Sequence, residues 1–401
     1  MWGGWRCSCA RTRRRRSPGR PCRWMVAGPR NERQGRAAGA GRQAVPVRGR
    51  RPRDRDRARE AAMEVKRINL ALQGGGAHGA FTWGVLDRLL EEERVEIAGI
   101  SGTSAGALNG AALKAGLANG GRDGAKATLD RLWGQVGAVT DAAMEDWLRS
   151  LAPPASLVAK AMEYSPAYQV FDLAARMMSP YVYGPALRNP LERIVDGFDY
   201  DAVCGAPGPH LYIGATNVRS GKIRLFTGRE ITTQSILASA CLPTLFQAVE
   251  IGGEAYWDGG YTGNPALFPL FDPALPDDIL VVNINPLYRD ALPVEPQAIQ
   301  NRINEISFNS SLLRELRAIS FVHRLLQDGR LQEGAFKDVL VHMIADDGLM
   351  NTLSVATKQV PNPIVLARLK AAGRAAADRF LDAHLDDLNL RGTVDLQAMF
   401  D

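Results

Sequence analysis

Ile100-Ser101-Gly102-Thr103-Ser104-Ala105-Gly106-Ala107-Leu108 decides how the rest of the chain is read. It is a strand that ends in Gly-Thr-Ser-Ala-Gly and turns at once into a helix of small residues. A serine between two glycines at this spacing is the pattern of a nucleophile elbow, in which a strained turn lifts the hydroxyl clear of the sheet. The close backbone approach it needs excludes side chains at Gly102 and Gly106. Ser104 is the candidate nucleophile. The alternative is an ordinary strand-to-helix turn with Ser104 as helix cap.

Upstream, the buried-strand pattern Arg67 to Gln73 runs into Gly74-Gly75-Gly76-Ala77-His78-Gly79 and then a helical segment to Glu92. Gly74, Gly76 and Gly79 satisfy Gly-x-Gly-x-x-Gly. Amides exposed at a helix start can hold either a pyrophosphate or the oxyanion of an acyl-transfer intermediate. A dinucleotide site wants an acid at the end of the second strand, about twenty residues on. Here Val95 to Ile100 ends in Ser-Gly-Thr-Ser, with Glu93 and Glu96 at its start. The second strand delivers a nucleophile where a nucleotide fold would deliver a ribose ligand.

Downstream, an apolar helix stops at Pro243, and a short hairpin around Gly252-Gly253 hands over Asp258-Gly259-Gly260. Taken alone, an Asp before two glycines is a turn. Taken in order after the glycine-rich loop and Gly-Thr-Ser-Ala-Gly, it makes the chain resemble the patatin-like phospholipases, serine lipid acyl hydrolases, from about residue 67 to about 286. The resemblance implies Ser104 as nucleophile and Asp258 as its base, with the amides around Gly74, Gly75 and Gly76 as oxyanion hole. Gly79, Gly102, Gly106, Gly259 and Gly260 are then motif-supporting. One position departs: His78 stands where the family usually carries Lys or Arg. Two readings of it are open, an exposed helix-start residue facing solvent, or a donor to the oxyanion or to a lipid phosphate.

Residues 1–60 hold nineteen Arg, no Lys and four acids, a net of +15, so the remainder carries +6 minus +15, or −9. The basic balance of the chain comes from this tail alone. Such a composition cannot bury enough apolar surface to fold, so residues 1–62 are expected to be disordered. A contact with anionic lipid or nucleic acid is one use for it. The other reading is that Met63-Glu64-Val65-Lys66 is the natural start, and nucleic acid is not an expected partner of the domain that follows. No apolar run of eighteen occurs, and Cys204 and Cys241 have no metal-ligand spacing. They read as buried thiols of a reducing compartment, which with no secretory signal suggests a cytoplasmic protein touching membranes peripherally. Neither a metal nor a cofactor is implied.

Strands alternating with helices predict a three-layer α/β/α domain over residues 63–401, with a mostly parallel central sheet. A helical insertion is expected over about 141–195. Its Met and aromatic residues, Met144, Trp147, Leu148 and Leu151 among them, suit either a cap over an acyl-chain pocket or plain packing. C-terminal helices are expected within 297–388, the first with Leu, Ile and Phe on one face and Arg on the other. His210, His323, His342 and His384 all fall in strands or helices, none in a glycine-rich loop that would present a catalytic imidazole. The reading that follows is ester hydrolysis on a lipid through an acyl-enzyme on a Ser104–Asp258 dyad. Its rivals are another hydrophobic ester such as a storage polyester, acyl transfer to an acceptor other than water, an idle lipid-binding or scaffold protein, and a nucleotide-binding module.

Overall fold

The computed structural model describes residues 64–140, 152–183, 189–205, 208–332, 334 and 336–400. The Arg-rich tail and Met144, Trp147, Leu148 and Leu151 lie outside them.

Eight strands form one mixed sheet: β1 Lys66–Leu72, β2 Val95–Thr103, β3 His210–Asn217, β4 Ile223–Thr227, β5 Val249–Ile251, β6 Glu254–Asp258, β7 Asp278–Asn283 and β8 Leu340–Ala345. The centre, β3-β2-β1-β7-β8, is parallel throughout. β4, β5 and β6 join antiparallel at the β3 side. The central strands feed two cores by alternation: Leu280 and Val282 of β7 enter one, Ile279 and Val281 the other. That is the period-2 signature of a sheet covered on both faces.

Helices Gly79–Leu89, Ala105–Val136 and Pro363–His384 contribute Phe81, Leu113, Leu366 and Phe380 to the larger core. On the other face, Leu267, Leu270, Leu312 and Leu316 close the smaller one. The result is the expected α/β/α layering. Helix Ala105–Val136 is broken at non-helical Gly120 and Gly121. The described part of the insertion is helical, Ala155–Glu163, Pro166–Met177, Pro180–Tyr183 and Leu191–Val195, and leaves Val170, Leu173, Met177 and Val182 exposed.

The long C-terminal helix, Pro296–Gln327, departs from the expected pattern. Its second half buries Leu312, Leu316 and Ile319, but its first half turns Asn301, Glu305 and Asn309 inward and exposes Ile299, Ile303 and Ile306. The reason is what it packs on. Asn309 donates to the carbonyls of Asn285 and Pro286, and Glu305 pairs with Arg289 and Arg302, so the inward surface is polar.

Candidate active site

β3 brings the site together by serving two strands along one edge. β4 pairs with Tyr212 to Thr216, so β2, opposite His210 to Gly214, and β6, opposite Ala215 to Asn217, must share the other edge. Thr103 ends β2 opposite Gly214, and Asp258 ends β6 opposite Ala215. The junction leaves no room: a Cβ on Gly259 would lie 2.2 Å from the Gly214 carbonyl oxygen and 2.9 Å from the Thr103 methyl.

Ser104 follows Thr103 at φ 54°, ψ −120°, a region that only glycine occupies without strain, immediately before helix Ala105–Val136 begins. Ser239 holds that geometry. Its hydroxyl accepts from the Ser104 amide at 2.9 Å and donates to the Gly214 carbonyl at 2.6 Å. Nothing in the sequence pattern singled out Ser239; the signal was its place at the end of the helix before Pro243.

Asp258 is 1% exposed. Its Oδ1 accepts from the Gly260 amide at 2.8 Å, while Oδ2 has no hydrogen-bond partner among the described residues. Burial pushes its carboxyl up to about 7, against the opposing pull of the Gly260 amide and the Ser104 hydroxyl. A carboxylate so placed is a far stronger base than one in water.

The glycine-rich loop lies against Ser104: a Cβ on Gly74 would stand 2.7 Å from that of Ser104. Gly74 is corrected as an oxyanion donor, because its N–H is taken by Asn264 Oδ1 at 2.7 Å. The Gly75 and Gly76 amides have no such partner among the described residues. Beneath the loop sits a layer of buried amides. Gln73 Oε1 accepts from the Ile284 and Asn285 amides and from Asn285 Nδ2, and Asn285 Nδ2 also donates to the Gly74 carbonyl.

His78 is a second correction. It is 2% exposed rather than facing solvent, with Nε2 2.8 Å from the Thr357 hydroxyl. That hydroxyl donates to the Ser354 carbonyl, which makes Nε2 the protonated nitrogen. Burial and the nearby positive charge of Lys358 hold its pKa well below 6.5, so the ring is neutral and supplies no cation. Of the other histidines, His342 meets Asp278 and Thr393, His323 the Val339 carbonyl and His384 Asp387, while His210 is exposed at the start of β3.

Among the described residues no cluster of three or more His, Cys, Asp or Glu is placed to hold a metal ion, and no helix is long and apolar enough to cross a membrane. A cleft of about 240 Å³, of which Ser104 is not a lining residue, runs along helix Pro296–Gln327 between Arg302, Ile306, Arg314, Arg317 and Phe400.

A doubly covered, mostly parallel sheet with a strained serine at a strand-to-helix turn is the architecture of an α/β hydrolytic enzyme. The family model for patatin-like phospholipases matches residues 70–271, just over half of the chain, and the chain belongs to that family of lipid hydrolases. Among solved structures it is similar to VipD from Legionella pneumophila, at 14% identity and a TM-score of 0.38, over 79% of this chain and 67% of that one. It is also similar to the type III effector protein ExoU, at 16% identity and a TM-score of 0.32, over 82% of this chain and 55% of that one. The ExoU–SpcU complex of Pseudomonas aeruginosa gives 18% identity and a TM-score of 0.28, over 84% of this chain and 65% of that one. This chain therefore spans about two thirds or less of those proteins' lengths. No curated protein matches it.

Proposed function

We propose that the chain hydrolyses carboxylic esters of lipids through an acyl-enzyme on Ser104. Asp258 accepts the Ser104 proton as Oγ attacks the ester carbonyl carbon. The resulting oxyanion lies against the Gly75 and Gly76 amides, and Asp258 returns the proton to the departing alcohol. Water, deprotonated by the same carboxylate, then attacks the acyl-serine, releasing the fatty acid and restoring the Ser104 hydroxyl.

The observation that supports this reading is the convergence, at one edge of β3, of a backbone-strained serine and a buried carboxylate whose Oδ2 accepts no hydrogen bond within ordinary distance among the described residues. No histidine among the described residues takes the place of that carboxylate. Residues 63–401 are taken as the hydrolase domain, and the described helices of the insertion, with Leu173 and Met177 exposed, suit contact with a lipid surface as the source of substrate.

The test is labelling with a fluorophosphonate. Covalent capture at Ser104, lost in Ser104→Ala, together with fatty acid release from phospholipid vesicles, is the expected result. An unlabelled serine overturns the proposal in favour of an idle lipid-binding protein. Labelling without release from any phospholipid would move the substrate to another hydrophobic ester or the reaction to acyl transfer.

A further inference from the structure

The charge missing from the glycine-rich loop is supplied from the far end of the chain. Lys358, partly buried in helix Val355–Gln359, donates from Nζ to Asn285 Oδ1 at 2.7 Å. Asn285 Nδ2 in turn donates to the Gly74 carbonyl at 2.9 Å, and Asn264 Nδ2 to the same oxygen at 3.3 Å. The Gly74 carbonyl and the Gly75 N–H belong to one rigid peptide plane. Fixing the oxygen from beneath therefore fixes the direction in which the N–H points. The backbone of the same residue closes the loop from another side: a Cβ on Gly76, at φ 58°, would lie 2.2 Å from the Lys358 carbonyl oxygen.

We propose that Lys358 is a positioning residue for the oxyanion hole. Its ammonium polarises Asn285, and Asn285 holds the Gly74–Gly75 peptide with its N–H aimed at the reacting carbonyl. The inference rests on the reading of Ser104 and Gly75 given above. Hydrogen bonds in such a chain strengthen one another, and an amide whose oxygen accepts from a cation is a stronger donor at its nitrogen. The role requires Lys358 to be charged. Desolvation brings its pKa down to about 8, with Glu305 opposing and Arg289 reinforcing the fall. Of the other groups around the loop, His78 is neutral and Thr357 carries no charge.

The experiment is the pH profile of kcat on one neutral soluble ester for wild type, Lys358→Met and Lys358→Arg, with fluorophosphonate labelling and melting temperature measured in parallel. In the wild type kcat falls as pH rises through about 8 and Lys358 loses its proton. Lys358→Met loses about tenfold or more in kcat across the whole range, less than the 10²–10³ that follows removal of an oxyanion donor itself, with KM little changed. Lys358→Arg, whose charge does not titrate in this range, keeps most of the activity and loses the alkaline fall. The proposal is overturned if Lys358→Met, folded and labelled like wild type, keeps its kcat. It is equally overturned if Lys358→Arg retains the alkaline fall at the same pH, a result that can be read even where Lys358→Met does not fold. A wild-type chain in which Ser104 is not labelled removes the oxyanion hole itself, and with it both readings.

Discussion

Thr103 and Asp258 end neighbouring strands on the same edge of β3, opposite the consecutive residues Gly214 and Ala215. The register of one strand thus sets the distance between Asp258 and Ser104, the residue after Thr103, which lie far apart in sequence. Because side chains alternate along a strand, a one-residue slip of either β2 or β6 would turn its terminal residue to the wrong face.

Ser104→Ala and Asp258→Asn are each expected to lower kcat by roughly 10³ or more while the chain stays folded, and the double variant is expected to be little worse than either. Steady-state hydrolysis with circular dichroism as the folding control decides it. Near-normal turnover in Asp258→Asn would exclude the carboxylate as base.

The acid side of the pH profile follows from the same carboxylate. Asp258 must be ionised to accept a proton, so kcat/KM should rise with pH through about 7. An unperturbed carboxylate would give a rise near 4, and a measured midpoint there would show that burial does not govern the group in solution.

Burying Asp258 also has a stability consequence. Its folded pKa lies above its unfolded one, so the stability linked to it is present at low pH and lost as pH rises through about 7. Asp258→Asn removes the ionisation, and the melting temperature of that variant should exceed that of wild type by more at pH 8 than at pH 4. A constant difference between the two pH values would contradict this.

Ser239→Ala leaves the Ser104 amide and the Gly214 carbonyl without their shared hydroxyl, at an expected loss of about 1–3 kcal/mol. Because the lost contact fixes the elbow, kcat should fall together with the denaturation midpoint. A variant that loses stability with unchanged kcat would separate Ser239 from the site.

His78→Lys inserts an ammonium into a buried position beside Lys358, and a strongly destabilised chain is expected. His78→Gln, which keeps a donor for the Thr357 hydroxyl, should be tolerated far better. Equal melting temperatures for the two would mean that the site opens to solvent.

The residues legible in the sequence are those whose type is dictated by their own backbone. Ser104 at positive φ, Gly259 against the Gly214 carbonyl, and Gly76 at φ 58° can be read locally because few residue types can stand there. The sheet was legible for a similar reason, since β7 as Asp-Ile-Leu-Val-Val-Asn suits only a strand buried on both faces. What could not be read depends on partners from distant segments. His78 looks solvent-facing until Thr357 and Lys358 are placed over it. In the same way, the inward face of helix Pro296–Gln327 looks wrong until the polar groups of Asn285 and Arg289 are known to lie beneath. Apolar periodicity records only how greasy a face is, whereas Asn301, Glu305 and Asn309 are buried by hydrogen bonding.

The contacts of Gly76 and His78 with Lys358 and Thr357 carry a further meaning when the chain is followed as it is synthesised. Ser104 and Asp258 leave the ribosome well before residues 357 and 358, and the family-matched segment ends before β7 and β8, two strands of the same sheet, have been made. A nascent or prematurely terminated chain would carry Ser104 and Asp258 beside a glycine-rich loop in which Gly76 and His78 lack their contacts with Lys358 and Thr357. The loop beside Ser104 is thus completed late in synthesis, by contacts from a helix made after every strand of the sheet.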